Sequence, residues 1–189
     1  MKGIAVRGSD NNKLFANYCY GNYDGILLNN ATKNELKSNL CENNSVGIYL
    51  EDSSENLLEE NICSHSGYEG LSLRNSHENT IYHNKIGPLN WVGLLLENST
   101  NNDIHYNEIS DNQWFGIGLL KTFNNKINEN NICNNKEYGL FGGICFDDAR
   151  HNYWDGDRIF FIGWVRLFPW LKDPVDISNI YETDRRVVT

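Results

Sequence analysis

The sequence predicts an all-β solenoid, a parallel β-helix of about seven rungs, from three observations. A glycine recurs every 22 or 23 residues, asparagines follow it at fixed offsets, and the apolar residues between them alternate as in strands. The glycines are Gly3, Gly25, Gly47, Gly70, Gly93, Gly116 and Gly139, each opening an apolar triplet. Runs such as Gly-Ile-x-Leu carry period two, and no window offers the i, i+3, i+4, i+7 stripe of a helix. Three short strands and three turns per unit make one rung, and rungs stack at about 4.8 Å.

Nine residues behind each of the first six glycines stands Asn12, Asn34, Asn56, Asn79, Asn102 or Asn125. Five further on stands Asn17, Asn39, Asn61, Asn84, Asn107 or Asn130. Asparagine is poor in both helix and strand, so such regularity needs a structural reason. The expectation is that these residues turn the corners with left-handed backbone angles and join as side-chain amide ladders up the stack. Between the two columns lies an aliphatic one, Leu14, Leu36, Leu58, Ile81, Ile104 and Ile127, expected to face inward. Cys19, Cys41 and Cys63 occupy the slot that Ile86, Ile109 and Ile132 fill later, so they are expected as buried free thiols. Cys133 and Cys145 are left unassigned.

The repeat stops after Asp148, and Trp154, Phe160, Phe161, Trp164, Phe168 and Trp170 follow closely. The chain is therefore divided into repeats over 1–148, an aromatic C-terminal cap over 149–174 that closes the open core, and a polar tail over 175–189. A net charge of −9 and the lack of a basic stripe argue against nucleic acid and anionic membranes as partners. The longest apolar run, "IFFIGWVRLFPWL", is interrupted by Arg166 and Pro169 and is too short to span a bilayer. The sequence enters a rung by Gly3, so no signal peptide is expected. The apolar Val6, Leu14 and Phe15 of that first rung would recruit upstream rungs or a second copy end to end.

The units "GIYLEDSSENLLEENIC" and "GLLLENSTNNDIHYNEISDN" resemble the right-handed β-helix repeats of NosD-like and carbohydrate-binding/sugar-hydrolase proteins. "NYW" at 152–154 and "IGWVRLFPWLKDP" at 162–174 resemble the closing segment of archaeal members. The resemblance implies a right-handed helix at a cell surface or outside the cell, whereas three unpaired stacked thiols suit a reducing compartment. NosD suggests copper, which would want clusters of Met, Cys or His. The chain has one Met and five scattered His, no C-x-x-C pair and no G-G-x-G-x-D repeat, so no metal or other cofactor is expected.

Columns on the outer surface supply the candidate site. Tyr68, Trp91 and Trp114 precede their glycines by two residues and should stack as an aromatic strip on three successive rungs. They read either as a platform for a sugar chain or as rings that cover a turn or pack on the C-terminal segment. The neighbouring column, Val46, Val92, Phe115 and Tyr138, is expected to face inward. Along the first strand, Tyr49 and then Glu51, Arg74 and Glu97 are expected outside, with Glu51 and Glu97 about 9.6 Å apart over two rungs. That separation nears the upper limit for an inverting glycosidase pair, but Arg74 between them would lower both pKa values, against the needs of a general acid. A second polar group, Glu59, Glu60, Tyr82, His83, His105 and Tyr106, reads as a solvated face. The expected function is a non-catalytic module binding carbohydrate or another extended ligand. The alternatives are a polysaccharide lyase or hydrolase and a structural spacer.

Overall fold

Each rung begins with a six-residue strand whose apolar residues line one wall of the core. In the computed structural model, which describes residues 2–175, these strands are Lys2–Arg7, Asp24–Asn29, Val46–Glu51, Glu69–Arg74 and Val92–Glu97. They are followed by the first parts of Phe115–Asn128 and Tyr138–Asp148, and by Ile159–Arg166. All pair in parallel, each with the strand one rung away. Three-residue strands build the second wall, from Lys13–Phe15 through Asp103–His105. A third wall runs from Tyr18–Tyr20 to Asn131–Cys133. No helix occurs among the described residues, hence none long and apolar enough to cross a membrane. Most of the polar tail expected over 175–189 lies outside the described residues.

The columns predicted to be core are core. Leu58, Ile81 and Ile104 are in register and fully buried, and Cys19, Cys41 and Cys63 stack beneath Ile86, Ile109 and Ile132. All five cysteines are free, and only Cys133 is partly exposed. Without reductant, a thiol reagent should therefore titrate at most Cys133 in the native protein and the remaining four after denaturation. A disulfide between any two of Cys19, Cys41 and Cys63 would contradict the column.

The ladders form, but one reason offered for them needs correction. Asn12, Asn34, Asn56, Asn79, Asn102 and Asn125 link amide to amide at 2.8–3.1 Å. The second column, from Asn17 to Asn130, links the same way and ends on Asn152. None of these asparagines has the left-handed backbone. That conformation falls on the residue before each: Lys33, Ser38, Glu55, Glu60, Glu78, His83, Asn101 and Tyr106 among them. The corner is thus turned by whatever residue precedes the asparagine, at about 1–2 kcal/mol for a non-glycine. The asparagine itself is needed because its amide both accepts from one neighbouring rung and donates to the other.

A third ladder, which the repeat did not reveal, runs through Asn90, Asn112 and Asn135 after a break at Ser66. Two of the three ladders finish on carboxylates: Asn125 donates to Asp147 and Asn135 to Asp157. An aspartate accepts and has nothing to donate onward, so it terminates the column. Parallel pairing nevertheless continues past Asp148, since Ile159–Arg166 lies on Tyr138–Asp148. In this last part Trp154 and Val165 are buried with the core, while Phe160, Ile162, Trp164, Phe168 and Trp170 are exposed.

The recurrent glycine has a packing cause. A Cβ on Gly93 would stand 2.6 Å from the Gly116 carbonyl oxygen, 2.7 Å from Asn112 Nδ2 and 2.9 Å from Ile109 Cγ2. The position therefore faces inward against the next rung, where only a hydrogen fits.

Candidate functional site

Because the glycine and the residue after it both turn inward, the residue before the glycine turns outward. This overturns the expectation for Val46, Val92, Phe115 and Tyr138. Val46, Val92 and Phe115 are buried yet stand apart from the core cluster, on the outer face of the six-residue strands. Their column also contains Asp24 and Glu69, which a reading that placed it inside could not propose as site residues.

Tyr68, Trp91 and Trp114 border this face. Their exposures are 58, 45 and 40%, so they are not core aromatics. Backbone bonds from Tyr68 N–H to the Ser45 carbonyl and from Trp114 N–H to the Trp91 carbonyl hold them on successive rungs. The rings of Trp91 and Trp114 are 5.5 Å apart. The array then continues over the face: Trp114 stacks on Phe115 at 4.0 Å, Phe115 on Phe141 at 4.5 Å, and Phe141 on Phe160 at 5.4 Å. Gly118 stands in the Phe141 column one rung earlier.

Toward the N-terminal rungs the same face is polar. Arg74 Nε donates to Glu97 at 2.8 Å, and its Nη1 reaches the Tyr49 hydroxyl at 3.4 Å. Glu51 takes hydrogen bonds from Asn29 at 2.7 Å and from the Tyr49 hydroxyl at 3.3 Å. Tyr49, Glu51, Arg74 and Glu97 thus form one network, with Arg74 bonded directly to Glu97 and joined to Glu51 only through Tyr49. Burial pushes the Tyr49 hydroxyl up to about 12, Arg74 opposing and Glu51 adding to the shift. Burial likewise raises the Glu69 carboxyl against the pull of Arg74. Asp24 is buried and held by Lys2 at 2.8 Å.

The second polar group occupies the second wall. Lys37 pairs with Glu59 at 3.0 Å, Tyr82 stacks on His105 at 5.5 Å, and His83 lies 5.6 Å from Tyr106. Burial, then a hydrogen bond to Glu59, pushes Tyr82 up to about 12, and burial lowers His83. These contacts link successive rungs along a partly exposed surface.

Comparison with known proteins gives the fold its relatives. The periplasmic alginate epimerase AlgG superposes with a TM-score of 0.71 at 17% identity, over 89% of this chain and 48% of that one. The enzymatically active domain of tailspike protein 2 from bacteriophage CBA120 gives 0.68 at 15% identity, over 83 and 27%. The Dettilon tailspike protein gives 0.54 at 16%, over 71 and 34%. This chain spans less than half the length of each, and at such identity the likeness is one of fold. No curated protein matches in sequence. The family model described as periplasmic copper-binding protein (NosD) matches residues 1–159.

That description names a metal which the donor set does not fit. Among the described residues no group of three His, Cys, Asp or Glu side chains is arranged to hold a metal ion. The stacked thiols are buried, and a hydrogen bond to Cys41 together with burial pushes Cys19 up, away from the thiolate a soft metal needs. What the match carries is the repeat itself. With that family model matching residues 1–159 of 189 and the strands of this chain stacked in parallel rung on rung, the chain belongs to the NosD family of right-handed parallel β-helix proteins.

Proposed function

We propose that the chain is a non-catalytic module that binds an extended carbohydrate along the outer face of its six-residue strands, in a periplasmic or cell-surface setting. The observation that carries this reading is the pair of half-exposed rings Trp91 and Trp114 on successive rungs, continued past the buried Phe115 by Phe141 and the exposed Phe160. Aromatic side chains offer apolar surface to the C–H groups of sugars, and here Trp91 and Trp114 supply it, since the rings from Phe115 to Phe160 turn their faces on one another. The polar network of Tyr49, Glu51, Arg74 and Glu97 continues the track and can bond hydroxyl groups. The named relatives, an alginate epimerase and phage tailspikes, and the periplasmic family description support the ligand class and the compartment.

Replacing Trp91 and Trp114 together by Ala tests the platform. Binding in a glycan screen should fall at least tenfold while the melting temperature stays within a few degrees of the parent, because both rings are partly exposed. Buried aromatics would instead cost about 3–5 kcal/mol each. A double mutant that melts far below the parent, or binds glycans unchanged, removes the platform. One observation favours catalysis: the raised Glu69 carboxyl has the character of a general acid. Release of reducing ends by the parent, abolished in Glu69→Gln, would replace the binding reading with a hydrolase.

A further inference from the structure

Among the described residues, the last rung carries an apolar rim left open to solvent. Ile159–Arg166 lies on Tyr138–Asp148, and backbone bonds join 149–152 to 166–171. Ile162, Trp164, Phe168 and Trp170 project from this rung and are 61, 54, 71 and 45% exposed. Trp164 stands in register with Phe146, which stacks on Phe123 at 5.5 Å, so the rim reaches back over three rungs. Phe168 stacks on Trp170 at 5.0 Å. Toward the N-terminal end the exposed rings are chiefly tyrosines, whose hydroxyls suit water. A contiguous apolar patch is rare on a monomer, and where one occurs it marks an interaction surface.

The charge around the rim identifies what covers it. From Arg158 to Lys172 the chain has three cations, Arg158, Arg166 and Lys172, and no Asp or Glu. Arg166 lies over the Trp164 ring at 5.1 Å, Arg158 is 3.6 Å from Glu137, and Lys172 is exposed. The net charge of −9 argued against anionic membranes for the chain as a whole. It sits, however, on the repeats at 1–148, where ten Lys and Arg face nineteen Asp and Glu, a balance of −9. Apolar and aromatic side chains ringed by Arg and Lys suit the lipid headgroup region, where rings enter the acyl boundary and cations meet phosphates. A second copy docked through the same rim would instead set Arg166 and Lys172 against their own equivalents. The described chain also leaves the rim, since Val175 is held by both backbone groups to the Asn131 side chain on the third wall, at 2.7 and 2.9 Å. We propose that the C-terminal rung docks foremost on an anionic lipid surface, with the acidic rungs standing away from it. This surface is independent of the carbohydrate reading.

The test is flotation of the full chain with vesicles of phosphatidylcholine alone and of phosphatidylcholine mixed with phosphatidylglycerol. The chain should bind the mixed vesicles at least about tenfold more tightly, since each cation near an anionic surface is worth about fivefold. Ile162→Ser, Trp164→Ser and Phe168→Ser combined should abolish flotation and leave the melting temperature near the parent's, because all three side chains already face water. Should that variant fold poorly, Arg166→Gln with Lys172→Gln removes the preference for the anionic lipid and leaves the apolar rim in place. Replacing Trp91 and Trp114 by Ala should leave flotation intact, which separates this surface from the outer platform. Binding to neither vesicle, equal binding to both, or flotation unchanged in both rim variants overturns the proposal. So does a dimer in light scattering without lipid that the triple variant converts to monomer, which would assign the rim to a second copy.

Discussion

Ile81→Asn should unfold the protein at a much lower temperature, although asparagine is the residue this chain uses most readily elsewhere. Ile81 is fully buried, in register with Leu58 below and Ile104 above. The substitution removes a buried aliphatic side chain, a loss of about 2–5 kcal/mol for truncations of this kind. It also places an amide where only hydrocarbon surrounds it, at about 1–3 kcal/mol for an unsatisfied group. Together these predict a loss of roughly 3–8 kcal/mol, which at about 2–4 °C per kcal/mol for a chain of this size is a fall of at least about 6 °C. Ile81→Val, which keeps the chemistry, should cost only about 0.5–1.5 kcal/mol. Thermal melts of the two variants side by side check it, and an Asn variant within two degrees of the parent would contradict the register.

How much of this was legible beforehand follows from what repeats. Ile81, Asn84 and Gly93 are legible because every rung imposes the same demand on the same position, at an interval that stays within 22 or 23 residues. The direction of Val46 and Phe115 was not legible. Alternation was extended backward through the glycine, whereas the glycine's missing side chain lets two successive residues face inward and shifts the phase. Asp24 and Glu69 were lost to the candidate site by that one-residue slip, since a slip of one moves every side chain to the opposite face. A rule was available: if no side chain fits at the glycine, it faces inward and its predecessor faces out. The third ladder escaped because Ser66 interrupts it and the interval to Asn90 stretches to 24.

The reciprocal exchange, Asn84→Ile, is expected to be about as damaging as Ile81→Asn, only three positions away in the same rung. Asn84 is fully buried, and its Oδ1 accepts from the Asn61 backbone N–H at 2.9 Å and from Asn61 Nδ2 at 3.0 Å. Its own Nδ2 donates to the Leu58 carbonyl at 2.9 Å, to the Tyr82 carbonyl at 2.9 Å and to Asn107 Oδ1 at 3.0 Å. Isoleucine would gain hydrophobic burial yet leave at least three buried partners, the two Asn61 donors and the Leu58 carbonyl, without the bonds they make now. At about 1–3 kcal/mol for each orphaned group, and with about 2 kcal/mol recovered from the added apolar burial, the net loss is roughly 1–7 kcal/mol. Asn84→Asp isolates the donor half. A carboxylate still accepts from Asn61 but cannot donate to Leu58 or Asn107, as at the natural ladder ends Asp147 and Asp157. It should therefore act as a terminator in mid-column and lower the melting temperature at neutral pH. Protonating the new carboxyl restores one donor, so part of that loss should be regained as the pH falls through its pKa. If Asn84→Ile melts with the parent, the ladders are decoration on a fold held by its aliphatic columns alone, and the recurrence of asparagine would need another cause.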